Sequence, residues 1–319
     1  MREHITHSRL KDTEDIPLEK LGMPEKMQSL AITRVGNGKD RLGESPVWDE
    51  EAQRLYWVDA MIGIIHRLDP STGRIEDFHV PAPIGSMALA QKGCILALKD
   101  GFYHYAFDQA GCRPLAMLDE THPNLRLNDG KADPQGRFIA GTMHTGRAEN
   151  EPPLGGLYRL SPDGALEKLD TDFAVTNGPC FSPDGRRLYV ADSLRRVIWT
   201  YDYPEQGGLL NKRVFIETEE FNSGADGCLV DVEGYLWAVL VRAGKIGRFD
   251  PQGRLDRLID MPVTYPTSLA FGGPNLDVLY VTSISASHNL TATEPEAGGL
   301  FAIEGLNIRG LPAYRFGNR

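Results

Sequence analysis

One polar position recurs six times along this chain of 319 residues, at intervals of 42 or 49 residues. The successive gaps are 42, 42, 49, 49 and 42 residues, and each position lies five residues before a turn-like or linking segment. The six residues are Glu44, Ser86, Asn128, Asn177, Asp226 and Ser268. A repeat in the forties, with strand-like sequence in every unit, is typical of a fold built from identical blades.

A second recurring pattern supports the same unit. Six alternating segments end in turns, at HRLDPSTG, HYAFDQAG, LYRLSPDG, TYDYPEQG, GRFDPQG and FAIEG. Aspartate caps such turns, proline presets φ and glycine accepts a positive φ. The segments between the landmarks, such as RLYWVDA and VLYVTS, are rich in β-branched and aromatic residues, which favour strands. Each of the six units thus has one recurring polar residue, one recurring turn and about four strands. This pattern predicts an all-β fold, a six-bladed β-propeller.

The repeat also sets the predicted domain organisation. Residues 1–29 are charged and lack alternation, so we expect a short N-terminal extension. Residues 30–319 form one propeller, which we expect to be the catalytic domain. The segment Ser29–Val35 is predicted to form a strand that completes the last blade beside the C-terminal strands. Closing the ring in this way removes open sheet edges, which otherwise invite aggregation.

Charge and hydropathy exclude several classes of partner. The formal net charge is −10, which argues against nucleic acid because such binding needs a basic face. No apolar run approaches 18 residues, and the charged N-terminus lacks the apolar core of a secretory signal. These features predict a cytoplasmic protein that acts on a small molecule, away from membranes. They leave the oligomeric state open.

The six recurring side chains would face a common axis. Ser86 and Ser268 are expected to line a water-filled channel only. Glu44, Asn128, Asn177 and Asp226 carry more information, because aspartate and asparagine are poor strand residues and a carboxylate at a crowded axis needs a cation or a donor. The eight histidines show no HxH or HExxH spacing, which removes the usual zinc hydrolases.

Longer motifs surround these positions. They read RLGESPVW, LRLNDGKADPQG, VTNGPCFSPDG and GADGCLVDVEG, with GTMH at Gly141 and PEAGGLFAI near the C-terminus. Together they resemble the senescence marker protein / gluconolactonase family, the regucalcin-like sugar lactonases. The resemblance runs from about Arg41 to Ala313. Bacterial members that open pentonolactones are the most similar, since they also pair GTMH with TNGPC.

The resemblance implies a site and a reaction. Glu44, Asn177 and Asp226 would hold one divalent metal ion, while Arg126 and Asn128 would contact the sugar lactone. Oxygen ligands of this kind favour Ca²⁺, with Mn²⁺, Mg²⁺, Zn²⁺ and Fe²⁺ as alternatives. The metal would polarise the lactone carbonyl, and Asp226 would act as the general base that yields the open aldonic acid.

The chain departs from the family at one place. Some members carry a glutamate shortly after GTM that contacts substrate, whereas here GTM is followed by His144, Thr145, Gly146 and Arg147. The sugar preference of relatives therefore does not carry over. His144 is the candidate for a replacement contact.

Two other functions fit the same fold. One is a promiscuous metal-dependent esterase or organophosphate hydrolase, and the other is a non-catalytic, ion-binding propeller. Arg126 and Asn128 beside the metal triad argue against a scaffold, which does not need them. A serine hydrolase is not favoured, because no GxSxG motif lies in a strand–turn–helix context.

Overall fold

The computed structural model of the protein describes residues 30–109, 111–119, 122–148, 150–287 and 290–317. Within these ranges the chain forms six four-stranded antiparallel sheets and one turn of 3₁₀ helix at Glu219–Phe221, without any α-helix. The predicted six-bladed β-propeller is confirmed. The predicted N-terminal extension, residues 1–29, lies outside the described residues.

The four strands of each blade are named in order from the axis outward. Blade one contains β2 (Gly43–Asp49), β3 (Arg54–Asp59), β4 (Ile64–Asp69) and β5 (Arg74–His79). Blade two contains β6 (Ser86–Leu89), β7 (Cys94–Ala97), β8 (Gly101–Tyr105) and β9 (Cys112–Met117). Blade three contains β10 (Leu125–Ala132), β11 (Phe138–His144), β12 (Gly155–Leu160) and β13 (Leu166–Phe173).

The remaining blades follow the same order. Blade four contains β14 (Thr176–Phe181), β15 (Arg187–Asp192), β16 (Val197–Asp202) and β17 (Leu210–Glu217). Blade five contains β18 (Ala225–Val230), β19 (Leu236–Leu240), β20 (Lys245–Phe249) and β21 (Leu255–Asp260). Blade six contains β22 (Pro266–Gly272), β23 (Val278–Ser283), β24 (Leu300–Glu304) and β1 (Ala31–Val35).

Blade six closes the ring with a strand from each end of the chain. β1 pairs antiparallel with β24, from Ala31 opposite Glu304 to Val35 opposite Leu300. The predicted N-terminal closing strand therefore forms. It turns two distant parts of the sequence into one sheet, which ties the first blade to the last.

The first strands of the six blades surround the axis. Each of these inner strands packs against the inner strands of both neighbouring blades, with β2 packing against β22 to complete the circle. Apolar side chains fill the space between blades. Trp48, Trp57 and Trp237 are buried in one cluster with Phe271 and Phe301, which joins blades five, six and one. This packing holds the inner strands at fixed positions around the channel.

The C-terminal segment, residues 306–317, crosses one end of the channel. The backbone N–H of Gly310 donates to Leu276 in blade six at 2.8 Å. Farther along, the N–H of Phe316 donates to Leu89 in blade two, and that of Gly317 to Gly136 in blade three, both at 2.8 Å. The segment spans the ring and covers the end where the inner strands finish.

Within the described ranges, no helix has the length and apolar character that crossing a bilayer requires.

Candidate metal centre

All six recurring residues lie on inner strands, one in each blade. Their strands are β2, β6, β10, β14, β18 and β22, in chain order. The spacing in the sequence is therefore the spacing of innermost strands. The inter-blade core holds these six backbones in place. Ser86 is fully buried and its hydroxyl donates to the carbonyl of Asn128 at 2.9 Å, so it does not line an open channel as predicted.

Irregular backbone accompanies the polar side chains. Five of the six inner strands carry a register shift at this level; only β6 pairs regularly with its neighbour. Asn128, Asp226 and Ser268 lie inside such a bulge, while Glu44 and Asn177 come directly before one. Bulges re-aim side chains, and they are frequent beside functional sites.

In two of these bulges, the residue directly after a predicted metal ligand has a left-handed backbone conformation. Ser45 follows Glu44 with φ of 51°, and Gly178 follows Asn177 with φ of 55°. A glycine is required at the second position, because a Cβ on Gly178 would lie 2.7 Å from the carbonyl oxygen of Asp226. The bulges of blades four and five are thus in direct contact.

A chain of hydrogen bonds joins the predicted substrate and metal residues. The Arg126 Nη1 donates to Asn128 Oδ1 at 3.0 Å, and Asn128 Nδ2 donates to Asn177 Oδ1 at 2.7 Å. The Asn177 Nδ2 donates in turn to Ser193 Oγ at 2.8 Å, and the Ser193 hydroxyl donates to the carbonyl of Ala225, next to Asp226. Each amide is oriented by its partner, which presents the oxygen of Asn177 in a defined direction.

Negative charge accumulates at the axis. Burial raises the pKa of Glu44 well above its usual range, and the nearby carboxylates of Asp226 and Asp129 raise it further. Burial also raises the pKa of Asp226 well above its usual range, with Asp129 adding to the effect. Carboxylates in this situation need a cation to remain ionised.

The donor chemistry fits a divalent cation. Glu44, Asn177 and Asp226 supply two carboxylates and one amide oxygen, a set that suits a hard cation. Within the described ranges, no group of three or more His, Cys, Asp or Glu side chains is arranged so that it could hold a metal ion by itself. Asn177 is the third donor of the predicted set, so an amide takes the place of a third acid.

Arg126 keeps unused donors beside this set. Its Nη1 bonds to Leu127 and Asn128, but its buried Nε finds no acceptor in the part of the chain that is described. Burial lowers the pKa of Arg126 to about 10, while the charge of Glu44 opposes that effect. A guanidinium that remains charged at neutral pH, with free donors, is suited to an oxygen-rich ligand.

His144 lies apart from this constellation. Strands β10 and β11 pair Leu125 with His144 and Arg126 with Met143, so His144 and Arg126 are on opposite faces of the sheet. The buried His144 ring packs edge-on against His122 with centroids 5.1 Å apart. Neither ring nitrogen has a hydrogen-bond partner among the described residues. A substrate contact by His144 stays a prediction.

A cavity of about 90 Å³ lies deeper along the axis than the predicted ligands. Asp129, Lys131 and Ser268 line it, and residues 311–314 of the C-terminal segment close it. Glu44, Asn177 and Asp226 are not in its lining. Because the C-terminal segment covers this end, we expect ligands to enter from the other end, near Arg126.

Sequence reasoning missed Asp129, Lys131 and Ser193. Asp129 is the third carboxylate of the centre, and it is buried, with 7% of its surface exposed. Its signal in the sequence was the Asn–Asp pair of LRLNDGKA, where a charged residue directly follows the recurring asparagine. Ser193 lies in the loop after β15, far from any recurring position, so the repeat carries no signal for it.

The arrangement matches a known family. The SMP-30/Gluconolactonase/LRE-like region matches residues 42–285 of this chain. The protein therefore belongs to this family, as the motifs indicated.

Individual relatives cover nearly the full length. Regucalcin from Gallus gallus is 36% identical over 297 residues, which is 91% of this chain and 99% of the relative. The structure of a luciferin-regenerating enzyme matches with a TM-score of 0.84 and 28% identity, covering 90% of this chain and 99% of the other. Regucalcin from Agrobacterium tumefaciens str. C58, described as a calcium-binding protein, matches with a TM-score of 0.81 and 27% identity, covering 90% and 98%.

Proposed function

We propose that this protein hydrolyses a sugar lactone to the open aldonic acid, with one divalent cation held by Glu44, Asn177 and Asp226. Family membership supports the reaction class. The observation that carries the proposal is the convergence of these oxygen ligands with the Arg126–Asn128 pair, through the 2.7 Å bond from Asn128 to Asn177. Ca²⁺ is the cation that the oxygen donor set favours.

The residues divide the chemistry between them. A bound divalent cation supplies a Lewis acid that lowers the energy of the negative charge developing on the lactone carbonyl oxygen. Arg126 donates hydrogen bonds to the lactone or sugar oxygens, and Asn128 keeps the guanidinium aimed at them. The C-terminal segment covers one end of the channel, so we expect a polar substrate to reach Arg126 from the other end.

Asp226 performs the proton transfer. As its carboxylate takes a proton from the attacking water, the water oxygen bonds to the carbonyl carbon. The ring C–O bond then breaks, and the ring oxygen recovers a proton to become a hydroxyl. In the cation-free protein, burial and Asp129 raise the pKa of Asp226 above that of an exposed aspartate.

A lactone panel tests this function. Metal-stripped protein is given Ca²⁺, Mn²⁺, Zn²⁺ or Mg²⁺, and acid release is followed from xylono-, arabinono-, galactono- and gluconolactone after subtraction of spontaneous opening. We expect little release without metal and turnover of at least one lactone with a divalent cation. Release from none of them contradicts the proposal, and turnover of a phosphotriester instead favours the esterase or organophosphate hydrolase.

Calcium binding without catalysis is the second candidate, and the description of the Agrobacterium tumefaciens relative favours it. An Arg126→Met variant separates the two. If the protein is a lactonase, losing charge-assisted hydrogen bonds from Arg126 lowers kcat/KM by about 10- to 100-fold. Cation affinity stays equal or becomes tighter, because Arg126 repels the cation. A pure ion-binding protein has no lactone turnover to lose, so only the cation affinity can respond to the substitution.

A further inference from the structure

A second layer of charged residues lies directly behind the predicted ligands. Asp129 is buried on β10, between the recurring Asn128 and the axial cavity. Its Oδ1 accepts a hydrogen bond from the N–H of Gly130, and its Oδ2 accepts one from the N–H of Gly178, both at 2.8 Å. The second bond crosses from blade three to the bulge of blade four that carries Asn177.

Lys131 makes the equivalent connection to blade five. It follows Asp129 by two residues on the same strand, and its Nζ donates to the carbonyl oxygen of Cys228 at 3.0 Å. Cys228 is two residues after Asp226, at the end of the blade-five bulge. One stretch of β10 therefore contacts the backbone beside two of the three predicted ligands.

The charges in this layer also act on the centre. With a cation bound, the carboxylates of Glu44, Asp226 and Asp129 would be ionised. They are offset by two positive charges, the Arg126 guanidinium near Glu44 and the Lys131 ammonium near Asp129. If Asp129 were neutral, the fixed charges would balance and the attraction for a divalent cation would weaken. If Lys131 were replaced by an uncharged residue without a donor, the attraction would strengthen, but the Cys228 carbonyl would lose its hydrogen bond.

We propose that Asp129 and Lys131 are positioning residues of the cation centre. Asp129 holds the Asn177 bulge through the N–H of Gly178 and supplies the surplus negative charge. Lys131 holds the Asp226 bulge through the carbonyl of Cys228. The inference rests on the proposed function, because it assigns roles toward the cation that Glu44, Asn177 and Asp226 would bind.

The test combines Mn²⁺ titration calorimetry with lactone kinetics on the full chain. Asp129→Asn keeps the shape of the side chain, but its single amide oxygen cannot accept from the N–H groups of both Gly130 and Gly178. We expect its Mn²⁺ dissociation constant to rise about 10- to 100-fold, as for partners that orient metal ligands. At saturating Mn²⁺, kcat falls while KM for the lactone changes less than about 2-fold, because Arg126 is untouched.

Two variants of Lys131 separate its charge from its hydrogen bond. Lys131→Arg keeps both the charge and a donor, and we expect kcat at saturating Mn²⁺ near that of the wild type. In Lys131→Met both are lost, so kcat falls, while Mn²⁺ affinity is maintained or increased. Asp163→Asn, an exposed turn residue, is the matched control and should change neither quantity.

The outcomes distinguish this inference from the proposed function. If the wild type binds no divalent cation, both fail together. If the wild type binds Mn²⁺ and opens lactones, but folded Asp129→Asn does so equally well, the positioning role alone is overturned. If Asp129→Asn does not fold, the Lys131 pair decides: equal kcat in the Arg and Met variants overturns the inference, and recovery in the Arg variant alone supports it.

Discussion

The side-chain amide of Asn128 donates a 2.7 Å hydrogen bond to the amide oxygen of Asn177, from blade three to blade four. The same nitrogen donates to the carbonyl of Thr176 at 2.9 Å, and the Asn128 oxygen accepts from Arg126. Asn128 thus links the residue proposed to bind substrate with an amide proposed to bind the cation. The Asn177 oxygen has a second lone pair, so it can accept this bond and still coordinate.

The first prediction concerns this link. Asn128→Ala removes the donor that orients Asn177 and the acceptor that orients Arg126. We expect cation affinity to fall about 10-fold or more, in the range of residues that support metal ligands. The KM for the lactone should rise as well. Calorimetric titration and steady-state kinetics measure the two effects.

Ser268→Ala is the matched control for Asn128→Ala. Ser268 occupies the same recurring position, but within the described chain its hydroxyl makes no hydrogen bond to the ligand residues. Cation affinity should therefore stay at the wild-type value. An Asn128→Ala protein that binds the cation as tightly as Ser268→Ala does would remove Asn128 from the centre.

The second prediction concerns pH and the cation. Burial and neighbouring carboxylates raise the pKa of both Glu44 and Asp226, so the cation-free folded protein holds protons that the unfolded chain releases above about pH 4. The free energy of unfolding of the cation-free protein therefore falls as pH rises through the folded-state values. A divalent cation should offset this loss.

Thermal melts with Ca²⁺ and with EDTA check this behaviour from pH 5 to pH 8. We expect the gain in melting temperature from Ca²⁺ to be small at pH 5 and to grow to several degrees at pH 8, about the effect of 100-fold excess over Kd. Glu44→Gln should lose most of the gain. An equal gain at both ends of the range argues that the raised carboxylates do not bind the cation.

The third prediction concerns the place where the ring closes. The His66 Nδ1 lies 2.7 Å from Asp77 and its Nε2 lies 3.1 Å from Asp40. The backbone N–H of Asp40 donates to Gly298 in blade six at 2.8 Å. Burial lowers the pKa of His66, but hydrogen bonds and charge from Asp40 and Asp77 outweigh it, so the pKa lies above its ordinary value.

A raised histidine pKa makes the contribution of His66 larger at low pH. Its stabilisation is complete below the unfolded value of about 6.5 and is lost as pH rises through the folded value. We expect His66→Gln to cost about 1 kcal/mol, or ~2 °C in melting temperature, at pH 6 and less at pH 9. Melts of the Ca²⁺-loaded proteins measure the difference. A cost that does not change with pH rules out a charged His66.

Much of the architecture could be predicted from the sequence. The intervals of 42 and 49 residues located all six inner strands, because a propeller repeats one strand order and one polar position per blade. The closing strand was predicted because a strand before Val35 would complete the last blade, and β1 does pair with β24. The longer intervals fall in blades three and four, where the outermost strands β13 and β17 each have 8 residues.

The second layer of the centre could not be predicted in the same way. In a regular strand Asn128 and Asp129 would point to opposite faces. The bulge between Leu127 and Gly130 changes this, and both side chains bond to blade four, Asn128 at Thr176 and Asp129 at Gly178. Periodicity does not reveal a bulge, so the roles of neighbouring residues become visible only in the structure.

Turnover by Asp226→Asn at saturating cation tests the central claim most directly. The variant keeps an oxygen for the cation but loses the base, so acid release from the best lactone should fall at least about 100-fold. Calorimetry and circular dichroism establish that it is folded and loaded. We expect a folded, cation-loaded and nearly inactive protein. Near-wild-type lactone opening by this variant would contradict it.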